Sequence, residues 1–493
     1  MSESPARRSG FAADVLKLAS GTTVAQALGV LIMPLLTRLY GPAAFGVLAL
    51  FTSVTSILGV IACLRYEMAI LLPETDEEAA NLVGVSLLAA GVIAALSALL
   101  VTLGRPLLLR LLNSAALGPY LWAVPVMVLS SGVFYALNYW NSRTKNFGRL
   151  SAVRVMGAVG AHATKLAGGL AGHATGGMLV VATLLGSGLS AGVLGRRIWR
   201  DDGALFRRSI RLSRMRESMA RYRKFPLIDV WSALLNTASW QLPALMLNYA
   251  FSEAVAGHYA LGVRVLQMPM SLIGGAIGQV FFARAAEAQT EGALDLVVKN
   301  TFQQLSKIGL FPVLAVAVAG RDAFSVVFGA QWAQAGVYAQ ILSLWFFCGF
   351  IASPLSSAIT VSGKLSFGLL MTVLGLATRA ASLLVGGLLR SPELGLAALS
   401  ISGCFVYVLL LRKVFAIAGV PAREALSSLW QVLLAFAPAG SLLVLIQILR
   451  LPPWITVVAM GLAIVIYYWR LVRRDAQYAE LVKRVLSRAQ SRR

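Results

Sequence analysis

Long apolar runs separated by short polar gaps account for most of this chain. A bilayer-spanning helix needs about twenty mostly apolar residues, and runs of that kind recur about fourteen times. They are centred near residues 27, 53, 92, 128, 161, 183, 238, 267, 315, 346, 376, 404, 438 and 462. The pattern predicts an all-α polytopic membrane protein with about 14 transmembrane helices.

The longest polar interruption, Arg196 to Lys224, carries Arg or Lys at about eleven positions against three acids. Because Lys and Arg in short loops tend to stay cytoplasmic, we predict a cytoplasmic linker here, with residues 206–222 lying on the inner headgroups. The other basic gaps place both termini in the cytoplasm as well. The predicted divisions are an N-terminal lobe of helices 1–6 (1–195), the basic linker (196–224), a C-terminal lobe of helices 7–12 (225–418), helices 13 and 14 (419–473) and a basic cytoplasmic tail (474–493).

Two segments on either side of the linker resemble each other. Residues 36–49 (LTRLYGPAAFGVLA) match residues 247–260 (LNYAFSEAVAGHYA) at an offset of about 211. Each joins the first and second helix of its predicted lobe, and such repeats are a common plan among transporters. Chance similarity between glycine-rich helices is the alternative. The repeat interpretation predicts two pseudo-symmetric six-helix lobes, followed by two C-terminal helices.

Composition narrows the class of protein. The chain is 58% hydrophobic and only 13% charged, whereas a soluble domain carries about 25% charge. The net charge of +23 does not predict a nucleic-acid partner, because the cations lie between apolar runs and at the C-terminus, beside anionic headgroups. No GxxxxGK[ST], HExxH or GxSxG motif occurs, so we predict no enzyme, no metal and no cofactor, with proton or sodium coupling left open.

Charged residues inside predicted spans identify candidate cavity positions, since each costs about 2.5 to 3.5 kcal/mol to insert. In the fifth predicted helix Arg154, His162 and Lys165 fall within about 80° of one another on a helical wheel. They predict a substrate-facing cationic wall. The alternative is that Arg154 snorkels to the interface while Lys165 pairs with an acid on a neighbouring helix.

Other predicted spans add further candidates. Arg264 and Gln267 share a face of the eighth helix, and Arg379 lies midway along the eleventh, so both Arg residues are cationic candidates. Gln26 in the first helix, with Asp229 and Gln241 in the seventh, are polar cavity or coupling candidates. For Asp229 we favour a counter-ion of a neighbouring Arg over an ion carrier.

Paired charges stand at the predicted cytoplasmic ends of the second and eighth helices. They are Arg65 with Glu67, and Arg284 with Glu287. Ion pairs across such a mouth could form an inner gate, although interfacial snorkelling also places charges there.

A family resemblance is carried by residues 35–46 (LLTRLYGPAAFG), 63–70 (CLRYEMAI) and the acidic stretch 73–78. These resemble the Wzx-type O-antigen and exopolysaccharide flippases of the multidrug/oligosaccharidyl-lipid/polysaccharide superfamily. Of the candidates, Arg38, Arg65 and Glu67 lie within the matching motifs. Arg38, at the outer end of the first helix, is expected to hold the outer turn rather than substrate.

The resemblance implies a V-shaped bundle in the bacterial inner membrane that moves an undecaprenyl-diphosphate-linked oligosaccharide to the periplasmic leaflet by alternating access. It also implies a monomer whose partners are that glycan, membrane lipids, and the polymerase and glycosyltransferases of one pathway. The alternatives are a cation-coupled multidrug exporter, which would place acids and aromatics in its cavity, and a membrane glycan polymerase or ligase, which would need a long outer loop.

Overall fold

The computed structural model describes residues 5–269 and 274–474, apart from the side chains of 5–20, 269, 276, 365, 422, 425 and 474. Across these ranges the regular structure is entirely helical, which confirms the predicted all-α class. Eleven of the described helices are long and apolar enough to cross a membrane, so this is a multi-pass membrane protein. The count of 14 spans stays a prediction.

Three predicted spans are missing from those eleven, although each is helical. They are the fifth, seventh and eighth, centred near residues 161, 238 and 267. The fifth and seventh carry polar and charged side chains that lower their hydropathy. The eighth is described as two helices of 17 residues each, on either side of residues 270–273, which lie outside the described chain. These are the helices in which the sequence places most of the cavity candidates.

The chain forms two compact units, and the border between them follows Ala260 instead of falling in the linker. The first unit comprises residues 1–260 and 379–392. Its helices are α1 (Pro5–Leu39), α2 (Pro42–Val60), α3 (Tyr66–Ala69), α4 (Asp76–Leu112), α5 (Ala123–Arg143), α6 (Phe147–Leu170), α7 (Gly176–Ser209), α8 (Leu212–Arg221), α9 (Val230–Ala250) and the start of α10 (Glu253–Pro269).

The second unit comprises residues 261–378 and 393–493. Its remaining helices are α11 (Gly275–Glu291), α12 (Leu294–Phe328), α13 (Ala333–Leu355), α14 (Ser357–Val361), most of α15 (Leu365–Leu388), α16 (Pro392–Ala418), α17 (Ala422–Ile448) and α18 (Pro453–Arg474). A buried core of α11, α12, α13 and α17 residues, including Phe302, Phe311 and Phe350, holds this unit together. The two predicted six-helix lobes follow the repeat instead of these units, and they stay a prediction.

The basic linker is largely helical and packs on α4. Phe206 and Met215 belong to one buried cluster with residues of the first turns of α4, and Arg221 pairs with Glu78 at 2.8 Å. Arg208 pairs with Glu77 at 3.3 Å. Acids in the first turn of a helix are favoured by its dipole, so the acidic start of α4 provides counter-charges for the linker.

A close backbone-to-backbone helix crossing in the first unit joins the two similar segments. A Cβ added to Gly46 of α2 would lie 1.8 Å from the carbonyl oxygen of Glu253, and one added to Gly257 of α10 would lie 1.9 Å from the carbonyl oxygen of Pro42. Positions 46 and 257, like 42 and 253, are 211 residues apart. The two segments therefore meet through equivalent positions, which favours the internal-repeat interpretation over chance similarity.

Candidate functional site

The predicted cationic wall lies on α6, and α1 runs along it. Arg154 donates to the hydroxyl of Thr22 at 2.8 Å, and the Tyr40 hydroxyl donates to the carbonyl oxygen of Lys165 at 2.7 Å. His162 and Lys165 are each only 8% exposed, while Arg154 is half-buried. The helical wheel placed these three residues on one face; it did not indicate that α1 lies over that face. Of the three, Arg154 is the most accessible.

Arg379, the cationic candidate of α15, belongs to the first unit. Its side chain is buried, donates a hydrogen bond to the hydroxyl of Ser239 and stacks over the ring of Trp240 at 4.7 Å. Both partners are on α9. A guanidinium is stabilised when it is buried between a hydroxyl and the face of an aromatic ring. Arg379 therefore holds α15 against α9, and this structural role does not require a ligand.

The candidates of α10 differ from Arg379 in exposure. Arg264 and Gln267 are both exposed, as their shared face predicts. Gln26 of α1 is exposed too, and so is Arg38 at the end of that helix. Gln241 of α9 instead accepts a hydrogen bond from Ser53 of α2 at 3.3 Å. The substrate roles of all these residues stay predictions.

Arg65 forms a charged cluster with two acids. Its Nε donates to Asp229 at 2.7 Å, and its Nη1 lies 3.5 Å from Glu67. The backbone at Arg65 is left-handed, with φ of 63°, an uncommon conformation that re-aims the chain between α2 and α3. The geometry agrees with the counter-ion interpretation of Asp229 and joins α9 to the chain that follows α2.

Glu67 is the buried member of that cluster. It is 3% exposed, and within the described chain its Oε2 has no hydrogen-bond partner. Burial raises the pKa of the Glu67 carboxyl above its ordinary value, although Arg65 opposes the shift. A half-satisfied carboxyl with a raised pKa is suited to binding a proton.

The second predicted gate pair does not show the same contacts. Arg284 and Glu287 of α11 are both exposed, and among the described residues neither side chain takes part in an ion pair. Their grouping as a gate stays a prediction.

Sequence reasoning missed a polar network at the predicted outer ends of the helices in the first unit. Ser114 donates to the carboxylate of Glu253 at 2.5 Å, and Asn113 donates to the carbonyl oxygen of Tyr249 at 3.2 Å. Asn248, which is fully buried, donates back to the carbonyl oxygen of Leu112. This outer network ties the end of α4 to α9 and α10. The sequence did contain one indication of this network, because Glu253 lies inside the repeated segment.

A metal centre is not indicated in the part of the chain that the structure describes, where no group of three or more His, Cys, Asp or Glu side chains could hold an ion.

This fold is shared with solved structures of membrane transporters, among them the following three. A lipid II flippase MurJ in an inward closed conformation is 11% identical, covers 92% of this chain and 98% of its own, and gives a TM-score of 0.69. An inward-facing multidrug resistance MATE family transporter is 15% identical, with 80% and 98% coverage and a TM-score of 0.61. A transporter from Pyrococcus furiosus is 13% identical, with 82% and 95% coverage and a TM-score of 0.52. No curated protein sequence matches the chain.

The fold is therefore shared with solved transporters, two of which are described as members of the multidrug/oligosaccharidyl-lipid/polysaccharide (MOP) superfamily. The sequence profile of a family described as "Polysaccharide biosynthesis protein" matches residues 35–337. The chain belongs to this polysaccharide biosynthesis protein family, which confirms the predicted resemblance.

Proposed function

We propose that this protein is a flippase that moves an undecaprenyl-diphosphate-linked oligosaccharide from the cytoplasmic to the periplasmic leaflet of the bacterial inner membrane. Family membership supports a role in polysaccharide export, and the fold is shared with a lipid II flippase. The glycan and the polymerase and glycosyltransferases of its pathway are the proposed partners, and the protein acts as a monomer without a cofactor.

The observation that carries the proposal is the sign of the charges inside the helices. Arg154 and Arg379 lie at least seven residues from either end of their helices, and Lys165 is buried. The carboxylates of the described helices lie closer to helix ends or in the linker, and the deepest of them is the half-buried Asp322, six residues before the end of α12. Guanidinium and ammonium groups replace the hydration of phosphate through charge-assisted hydrogen bonds. A diphosphate headgroup, which cannot cross hydrocarbon unaided, fits this arrangement.

Cation-coupled multidrug export is the second candidate, and the fold shared with a MATE family transporter favours it. Organic cations need carboxylates in the cavity, and the buried cations of α6 and α15 argue against them. A glycan polymerase or ligase is less well supported, since the predicted outer connections are short; the one between α9 and α10 has two residues.

Alternating access gives a role to the outer network and to the charged cluster of Arg65, Asp229 and Glu67 in the first unit. The outer network joins α4 to α9 and α10 on the predicted periplasmic side, while Arg65 and Asp229 join α9 to the chain near α3 on the predicted cytoplasmic side. We infer that these contacts break and form again during transport. The Arg65–Asp229 pair is half-buried, and the cost of desolvating both charges offsets much of their attraction.

Reconstitution of the wild-type protein tests the function. In proteoliposomes containing a lipid-linked repeat unit, we expect the glycan to become accessible to an added glycosidase at the opposite leaflet, in a protein-dependent way. Export of organic cations without any movement of the glycan would contradict the proposal and favour the multidrug alternative.

Glu67→Gln is expected to remove a proton-dependent step. Because the pKa of Glu67 is raised above the ordinary value of 4.5, the folded protein binds a proton that the unfolded chain releases. Its contribution to stability is full below about pH 4.5 and falls as the pH rises through the folded pKa. The thermal unfolding midpoint of Glu67→Gln should therefore fall less than that of the wild type over this window, and its flipping rate should not respond to an imposed pH gradient.

Glu77→Gln is the matched control, since the Glu77 side chain on α4 is 43% exposed, in contrast to buried Glu67. It should keep the pH response of the wild type. Wild-type transport that continues unchanged after both the proton and the sodium gradients have collapsed would rule out ion coupling altogether.

A further inference from the structure

A cavity of about 330 Å³ lies between α11 and α12 in the second unit. Each helix lines it with one face, because the α11 residues and four of the five α12 residues follow the i, i+3, i+4, i+7 spacing of a helix. The lining residues are Ile277, Val280, Phe281 and Arg284 of α11, and Leu296, Val297, Asn300, Thr301 and Gln304 of α12. No carboxylate lines the cavity.

The polar part of this cavity has donors that are not used by the protein. Within the described chain, Arg284, Asn300 and Thr301 make no side-chain hydrogen bond or ion pair. A guanidinium, a carboxamide and a hydroxyl together offer a set of donors that suits a phosphate group. The cavity is therefore electrostatically complementary to a singly charged phosphodiester.

The position along α12 places these donors at headgroup level. Helix α12 has 35 residues, about 15 more than a bilayer core requires. Between Lys307 and Arg321 it has no charged residue, so this apolar stretch lies within the hydrocarbon. Asn300 and Thr301 precede Lys307, on the predicted cytoplasmic side, where anionic lipids meet cationic side chains.

The apolar part of the cavity is open to the surroundings. Val280 and Leu296 are each 55% exposed and flank the polar residues on either helix. Small-molecule sites measure about 300 to 1,000 Å³, so this cavity holds a lipid headgroup but not an oligosaccharide. Acyl chains can follow the two exposed side chains into the bilayer.

We propose that the α11–α12 cavity binds an anionic phospholipid of the cytoplasmic leaflet, with Arg284 as the charged ligand of its phosphodiester. The site is separate from the proposed flipping of a glycan, because a resident phospholipid need not cross the membrane. It also gives Arg284 a role that does not depend on Glu287.

Native mass spectrometry of the purified full-length protein tests this site with phosphatidylglycerol as the probe and phosphatidylcholine as the neutral comparison. The wild type should bind phosphatidylglycerol more tightly. Arg284→Gln should weaken that binding about tenfold or more, and Asn300→Leu several-fold, since a hydrogen bond to a charged group is lost in each case. The matched control is Arg321→Gln, which removes an exposed Arg at the other end of α12 and should leave the affinity unchanged.

Four results would overturn the proposal. Equal binding of the two lipids, or unchanged binding by Arg284→Gln, would exclude a charged lipid site. If inorganic phosphate alone displaced phosphatidylglycerol, the cavity would be an anion site without lipid recognition. Displacement of phosphatidylglycerol by undecaprenyl diphosphate at a much lower concentration would assign the cavity to the substrate path. None of these results depends on whether the protein flips a glycan.

Discussion

Replacing both Arg154 and Lys165 with alanine is expected to reduce flipping of the lipid-linked repeat unit about 100-fold or more. Each cation can make charge-assisted hydrogen bonds to the diphosphate, and each such bond contributes about 1.5 to 3 kcal/mol. Because the two side chains share one face of α6, both can bind the same diphosphate, and the binding free energies lost in the two substitutions add up. The measurement is the initial rate of glycan translocation in proteoliposomes containing equal amounts of protein.

Charge-conserving and distant variants separate this effect from a loss of folding. Arg154→Lys combined with Lys165→Arg keeps both charges and should retain a large part of the rate. Arg110→Ala removes an exposed cation at the end of α4 and should behave as the wild type. A double alanine variant that folds normally and still flips the glycan at the wild-type rate would disprove the cationic wall.

Gly257→Ala is expected to destabilise the crossing between α2 and α10 by about 1 to 3 kcal/mol or more. The added methyl would lie 1.9 Å from the carbonyl oxygen of Pro42, and backbone cannot move aside as a flexible side chain can. Gly46→Ala should have the same effect through the carbonyl oxygen of Glu253. Both variants should lower the thermal unfolding midpoint in detergent and slow transport, because the outer contacts must form again in every cycle.

A glycine elsewhere in the first unit gives the opposite expectation. A Cβ at Gly192 of α7 would meet no atom within 4 Å. In an open helix position, replacing glycine with alanine stabilises by about 0.5 to 1 kcal/mol. Gly192→Ala should therefore raise the thermal unfolding midpoint of the protein in detergent. If Gly257→Ala raised it as well, the close crossing would not exist in solution.

The positions of the helices could be predicted from the sequence because lipid requires every backbone polar group to bond within its own helix. Each of the fourteen predicted centres lies in a described helix. Residues 270–273, among them Ser271, lie outside the described chain, between α10 and α11. The predicted polar face of the eighth helix is therefore only partly described.

The pairing of side chains could not be predicted, since a helical wheel assigns a face but not the neighbour of that face. Arg65 and Asp229 are 164 residues apart, and either could have paired with another charge. The outer network was missed for a related reason. Asn113 and Ser114 follow the end of a helix, where a polar residue usually satisfies its own backbone, so nothing local indicated partners on α9 and α10.

The crossing of α2 and α10 at Gly46 and Gly257 also explains where the similarity between the two halves of the chain has been retained. At most positions a substitution in one half has no consequence for the other half, and the two sequences are free to diverge. At positions 46 and 257 each half forms the steric boundary of the other, because any side chain larger than that of glycine would collide with the backbone of Glu253 or Pro42. The similarity is readable in this segment because here each copy limits the sequence drift of the other.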